Sequence, residues 1–269
     1  MEKKIYEHNF TLPLVAALVV LVILLCVYFS MDGPKNMPDE TTPEPMESTT
    51  EPIIEDEPMP KISFKSDLSA YESAMTASGE EYLMLVNKST LLPSSYKPQS
   101  LSKVKDTHKD IELETTAQRA LEAMFIEMRA CGIKDAFVTS AYRSYEYQYN
   151  LFYNVYIPQE QACGLSYEEA KEKVLTYSAL PGTSEHHTGL AVDLMTNGMR
   201  ELDESFENYP VFDWLSENAW KFGFILRYPK DKVATTGYDY EPWHYRFVGR
   251  EAAYEIWRDG LCLEEYLAK

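Results

Sequence analysis

Two short stretches hold the residues most able to do chemistry: S-E-H-H-T-G-L-A-V-D at Ser184–Asp193 and E-P-W-H at Glu241–His244. Between them they offer imidazoles, an aspartate and a spare glutamate. Two imidazoles and a carboxylate can fill three positions of a zinc ion and leave a fourth for water. A second carboxylate beside that water can act on it as a base. These residue types together are the inventory of a metal-dependent hydrolase.

The surrounding sequence says how such residues would be held. Pro181, Gly182 and Gly189 turn the chain on either side of His186 and His187, so both lie on irregular backbone. Leu190–Leu194 reads as a short strand, with Leu190, Val192 and Leu194 facing one way and Ala191 and Asp193 the other. The small Ala191 beside Asp193 leaves space for something bulky, such as a metal with its water. In Trp243–Val248, Trp243, Tyr245 and Phe247 form an apolar face, and His244 and Arg246 point away from it. Pro242 drives Glu241 out of helical conformation, so the chain must turn for Glu241 and His244 to meet. A surface loop with a capping aspartate and an edge strand would use the same residues without chemistry. No H-E-x-x-H helix occurs, which excludes a thermolysin-like site.

The rest of the chain supplies the frame. Thr115–Cys131 has helical spacing, with Ala117, Leu121, Met124, Phe125 and Met128 recurring three or four apart and Gly132 closing the run. Tyr82–Val86 and Lys134–Ser140 read as strands, and Leu91–Pro98 as a loop. Ser144 can cap a helix to about Tyr156, and Ser166 another through Tyr177. Phe212–Phe222 reads as a helix ended by Gly223, and Arg250–Leu267 as helical with a break at Gly260. Helices mixed with short, scattered strands give an α+β class.

Thr11–Phe29 carries nineteen residues without a charge, about enough to cross a bilayer as a helix. Lys3 and Lys4 precede it, which puts residues 1–10 in the cytoplasm and everything after the span outside. The run is longer than a signal-peptide core and no A-x-A-like site follows, so an uncleaved anchor at residues 11–30 is expected. Residues 31–61 are rich in Pro, Thr and Glu and read as a disordered stalk able to reach up to about 90 Å. A folded domain is expected over 62–269.

The net charge of -18 leaves no basic excess to displace counterions, so nucleic-acid binding is not expected. Cys131, Cys163 and Cys262 are too few and too far apart for a disulfide scaffold or a cysteine zinc site.

The pattern S-x-H-x-x-G-x-A-x-D followed by E-x-W-H resembles the VanY-type D-alanyl-D-alanine carboxypeptidases, of the wider group of zinc peptidases that includes lysostaphin and the hedgehog signalling domain. The resemblance runs over about residues 80–269. It takes in V-N-K at Val86–Lys88, S-A-Y-R-S…Q at Ser140–Gln148 and the block Trp214–Pro229. It implies a small antiparallel sheet flanked by helices, and a zinc ion on His186, Asp193 and His244. Glu241 would be the general base and later acid. Arg143 would hold the substrate's terminal carboxylate through its planar fork of donors, with Ser184, Ser140 and Gln148 on the peptide. His187 is not assigned to the metal, because adjacent residues rarely point into one site, and Arg227 with Tyr228 would support the ligands from behind.

The implied activity is removal of the C-terminal D-alanine from peptidoglycan stem peptides, by a domain held outside the cell membrane. An L,D-carboxypeptidase acting on tetrapeptide stems and a non-catalytic zinc-containing wall-binding module stand as alternatives. A serine D,D-peptidase fits poorly: Ser94-x-x-Lys97 and Ser216-x-Asn218 occur, but no K-[S/T]-G does.

Overall fold

The computed structural model describes residues 58–269. The expected anchor and almost all of the expected stalk lie outside them. Among the described residues no helix is long and apolar enough to cross a membrane.

Two antiparallel sheets organise the described residues. A small hairpin pairs β1 (Leu101–Lys103) with β2 (Glu112–Glu114). The main sheet contains β3 (Ala136–Ser140), β4 (Ala191–Thr196), β5 (Phe224–Leu226) and β6 (His244–Phe247) in the order β3-β4-β6-β5. Every pairing in it is antiparallel. The architecture is α+β, as the sequence pattern indicates.

Among the described residues the α-helices of five residues or more are α1 (Thr115–Ala130), α2 (Tyr145–Tyr149), α3 (Ile157–Ala162), α4 (Tyr167–Tyr177), α5 (Pro210–Asn218), α6 (Arg250–Asp259) and α7 (Leu263–Leu267). Helix α1 starts where Glu114 accepts from the backbone N–H groups of Thr116 and Ala117, at 2.8 and 3.0 Å. Its apolar stripe of Ala117, Leu121, Met124, Phe125 and Met128 packs on one face of the main sheet, against Val138, Val192, Leu194, Phe224, Tyr245 and Phe247. A second cluster joins Ile225 and Trp220 to α6, and Met59 and Ile62 already pack against it.

Three expectations change. Tyr82–Val86 is not a strand. Its carbonyls serve a buried cation instead: Tyr82 and Met84 accept from the Arg246 guanidinium at 3.0 and 2.8 Å. The helix from Ser144 does not end near Tyr156. It passes through a π-helical stretch, Asn150–Tyr156, into α3. Pro158 lacks an N–H and its ring crowds the carbonyl of Asn154 four residues back. The turn before it widens, with the Ile157 N–H bonded to the Phe152 carbonyl. Finally, Ala191 pairs across the strands with Arg246, so the space beside it faces a guanidinium rather than a metal. Cys131, Cys163 and Cys262 are free thiols.

Leu194 sits fully buried on the central strand, on the face that meets α1. Leu194→Ala should destabilise the protein by about 2–5 kcal/mol through lost burial and a residual cavity, read as a lower midpoint in urea unfolding followed by circular dichroism.

Candidate metal centre and cleft

Strand register brings the chemistry together. Asp193 on β4 pairs with His244 on β6 and with Ser140 on β3, so the three side chains share the face opposite α1. A bulge between Val138 and Ser140 re-aims the end of β3 toward the same place. His186 arrives from a single 3-10 turn, Glu185–Thr188, just before β4. Gly189 ends that turn with φ of 69°, a left-handed conformation that favours glycine, and a Cβ there would press on the Glu114 nitrogen at 3.1 Å.

The donor atoms of His186, Asp193 and His244 lie within 4.8 Å of one another, and all three residues are buried. His186 Nε2 is 3.2 Å from Asp193 Oδ2, and His244 Nδ1 is 2.9 Å from Asp193 Oδ1. His186 donates its Nδ1–H to the Ala141 carbonyl at 2.7 Å, which leaves the Nε2 lone pair facing inward. That Nε2 is buried and has no hydrogen bond. A buried, unpaired ring nitrogen is costly unless something fills the site. Two imidazoles and a carboxylate converging on one point suit zinc, so the residues present fit the metal that the sequence implies.

His187 is also buried, but it serves a different task. It donates Nδ1–H to the Arg143 carbonyl at 2.7 Å and accepts at Nε2 from the Gly182 N–H at 3.0 Å. The Arg143 N–H in turn donates to the His186 carbonyl at 3.1 Å. The adjacent histidines therefore point into separate sites, and the second one fixes the backbone of Arg143.

Glu241 lies where Pro242 makes the chain turn. Its carbonyl accepts from the His244 N–H, and its Oε2 is 3.5 Å from His244 Nδ1. Burial pushes its carboxyl up to about 7, with the Asp193 charge adding and the His244 and Arg143 charges opposing. A carboxyl poised there can both take and return a proton at neutral pH. Asp193 is pulled the other way: burial raises its pKa, but the two histidines hold it well below the usual carboxylate range.

These groups open onto a cleft of about 870 Å³ whose walls include Arg143, Ser140, Ser184, Tyr156, Tyr177 and Trp243. Arg143 reaches Asp193 Oδ2 with one guanidinium nitrogen at 3.3 Å. Its other terminal nitrogen donates to Gln148 Oε1 at 2.8 Å. Gln148, expected on the peptide, does not line the cleft. It is fully buried, and its amide nitrogen donates to Ser178 and to the Ala179 carbonyl. It stands behind Arg143 and aims it.

Sequence reasoning passed over Glu185, which is fully buried and ion-paired with Arg227 and Arg246. The available signal was its place between Ser184 and His186, inside the stretch that carries the candidate donors.

Known proteins share this fold and sequence pattern. Residues 110–250 match the family described as VanY: D-alanyl-D-alanine carboxypeptidase. A D-alanyl-D-alanine carboxypeptidase of Enterococcus faecalis is 40% identical over 185 residues, covering 69% of this chain and 65% of that protein. Among solved structures, the vancomycin-resistance D,D-pentapeptidase VanY in complex with Zn(II) aligns with a TM-score of 0.60 at 38% identity, over 70% of this chain and 99% of that one. The LdcB LD-carboxypeptidase aligns with a TM-score of 0.61 at 37% identity, over 72% and 89%. The chain belongs to the VanY family of D-alanyl-D-alanine carboxypeptidases.

The site makes metal and proton compete. Burial alone would lower the His244 pKa, but the Asp193 and Glu185 carboxylates and the Glu241 charge outweigh it and push it up to about 9. His186 is held down to about 4, by burial first and then by the Arg143 charge, so it is neutral at pH 7. Below pH 9 a proton on His244 must leave before the Nδ1 lone pair can bind. Apparent zinc affinity should therefore rise about tenfold per pH unit from pH 7 to 9 and level off above. Competition with a chelating dye checks this, and a flat profile over that range would refute it.

Proposed function

We propose that the protein is a zinc-dependent D,D-carboxypeptidase that removes the C-terminal D-alanine from peptidoglycan stem peptides. The observation that carries this reading is a guanidinium, Arg143, in the same cleft as three convergent metal donors and a carboxyl near neutrality. The chain spans 65% of the length of the Enterococcus faecalis relative, so that relative's activity supports the reading by likeness over the shared part.

His186, Asp193 and His244 would hold the ion. A bound zinc would acidify its water and polarise the scissile carbonyl. Glu241 takes the proton of the attacking water and passes it to the leaving amine as the peptide bond breaks. Arg143 binds the free carboxylate of the last residue, which restricts cleavage to chain ends. Gln148 and the His187 clamp keep that guanidinium in place. Ser184 and Ser140, both on the cleft wall, would bond the peptide beside the cut.

We also propose that Thr11–Phe29 anchors the protein in the cell membrane as a single pass, with the catalytic domain outside and the stalk ending before Met59, which packs on the domain core rather than belonging to the stalk expected over 31–61. Support comes from the uncharged run, the lysines before it and the acidic, proline-rich segment after it.

Likeness to the LdcB LD-carboxypeptidase at 37% identity favours a second reading, release of D-alanine from tetrapeptide stems. Incubation with pentapeptide and tetrapeptide stems separates the two. D-Alanine should leave the pentapeptide, the reaction should stop at the tetrapeptide, and a chelator should abolish it. Release from the tetrapeptide alone would establish the second reading, and loss of activity with a β-lactam but not a chelator would overturn both. Glu241→Gln should keep zinc yet lose turnover by roughly 10³-fold. Arg143→Ala should lower kcat/KM for the pentapeptide by about a hundredfold through lost charge-assisted hydrogen bonds, with little effect on bound zinc measured by atomic absorption.

A further inference from the structure

We propose that Glu185 is the positioning residue of the metal centre: its carboxylate holds the outer ring N–H of His244 and so keeps the Nδ1 lone pair of that ring turned toward the ion site. The inference rests on the zinc reading above.

One oxygen of Glu185 is fully committed. Oε1 accepts from Arg227 Nε at 2.7 Å and from Arg246 at 2.8 Å. Both guanidiniums are anchored elsewhere. Arg227 is gripped by Glu264 through two bonds of 2.8 and 2.6 Å. Arg246 is bonded to the carbonyls of Tyr82, Met84 and Phe247. Two arginines and two glutamates balance in charge, so the cluster can stay buried. None of this requires the second oxygen of Glu185.

That second oxygen, Oε2, is buried and has no hydrogen bond. It lies 3.7 Å from His244 Nε2, which is also buried and also without one. One atom is an acceptor and the other belongs to a ring that can donate. A metal-ligating histidine characteristically gives its other N–H to such a carboxylate or carbonyl, which fixes tautomer and ring orientation. His186 has this partner in the Ala141 carbonyl. Glu185 is the corresponding partner for His244, and the arginine pair holds it there.

Glu185→Gln tests the idea without changing volume. The two arginines require an oxygen at the Oε1 position, so the amide nitrogen must take the place of Oε2 and meet the His244 N–H donor to donor. His244 then favours the tautomer with a proton on Nδ1, where the ion would bind. Zinc affinity, read by dye competition on the full chain, should fall about 10–100-fold. Glu264→Gln is the control. It removes the same charge from the same arginine cluster but leaves Oε2 facing His244, and its zinc affinity should stay within about threefold of wild type.

A folded Glu185→Gln protein with wild-type affinity would overturn the proposal. So would an equal loss in Glu264→Gln, which would mean that the cluster acts only through charge or fold. If Glu185→Gln does not fold, the zinc-loaded wild type decides: with ¹⁵N-labelled histidine, the His244 Nε2 proton should be visible and slow to exchange, and rapid exchange with water would overturn the proposal. Failure of wild type to bind zinc at all would instead sink the underlying zinc reading.

Discussion

The site depends on the register of β4 against its neighbours. Asp193 stands opposite His244 on one side and Ser140 on the other. Side chains alternate along a strand, so a slip of one residue would turn Asp193 into the core and Leu194 into the cleft. The register is held by the opposite face, where Val192 and Leu194 pack with Tyr245 and Phe247 against α1. Hydrophobic burial on one side of the sheet thereby fixes polar geometry on the other. The three donors need no long-range steering beyond it, apart from the single turn that delivers His186.

Behind that face lies a second layer made of charge. Arg246 occupies the cross-strand position beside Ala191, and Arg227 follows β5, so both guanidiniums come from the sheet that carries the ligands. Glu185 between them is buried in a setting where an unpaired carboxylate would be prohibitively costly. Two opposing cations hold its carboxyl well below its usual range despite burial. The network reaches Tyr82, Met84 and Glu264 at the two ends of the domain. Segments far apart in sequence are thus tied to a carboxylate that lies 3.7 Å from the His244 ring.

The cleft side follows the opposite electrostatic logic. Among the described residues no arginine is hydrogen-bonded to Glu241, and burial pushes its carboxyl up to about 7. Asp193, a few ångströms away, stays ionised among histidines. Two buried carboxyls are therefore divided by environment into one that stays ionised and one that can take and return a proton near neutral pH. Arg143 completes the arrangement by bringing a fixed positive charge to the cleft, held through its backbone by His187 and through its side chain by Gln148. A fixed positive charge in such a place is what a free terminal carboxylate would require.

Much of this was legible in the chain itself. Residue types and their spacing offered candidate donors, the glutamate at the Pro242 turn and the helical stripe of α1, because these depend on local periodicity and on what proline and glycine permit, and the resemblance to the VanY-type family singled out His186, Asp193 and His244 among them. The sequence also pointed to His187 as no ligand, but not to its clamp on Arg143, which joins residues 44 apart. Tyr82–Val86 has the composition of a strand, yet Arg246 claims its carbonyls from 164 residues away. Gln148 could be placed near Arg143 by spacing alone, whereas its position behind rather than beside the cleft depends on Ser178 and Ala179. Glu185 looked like an ordinary acid next to a histidine. By itself the sequence determined which groups were available and which way each would point along its own strand or turn. Only the tertiary structure decided which groups are buried together, because the cost of burying a charge is settled by partners that arrive from elsewhere in the chain.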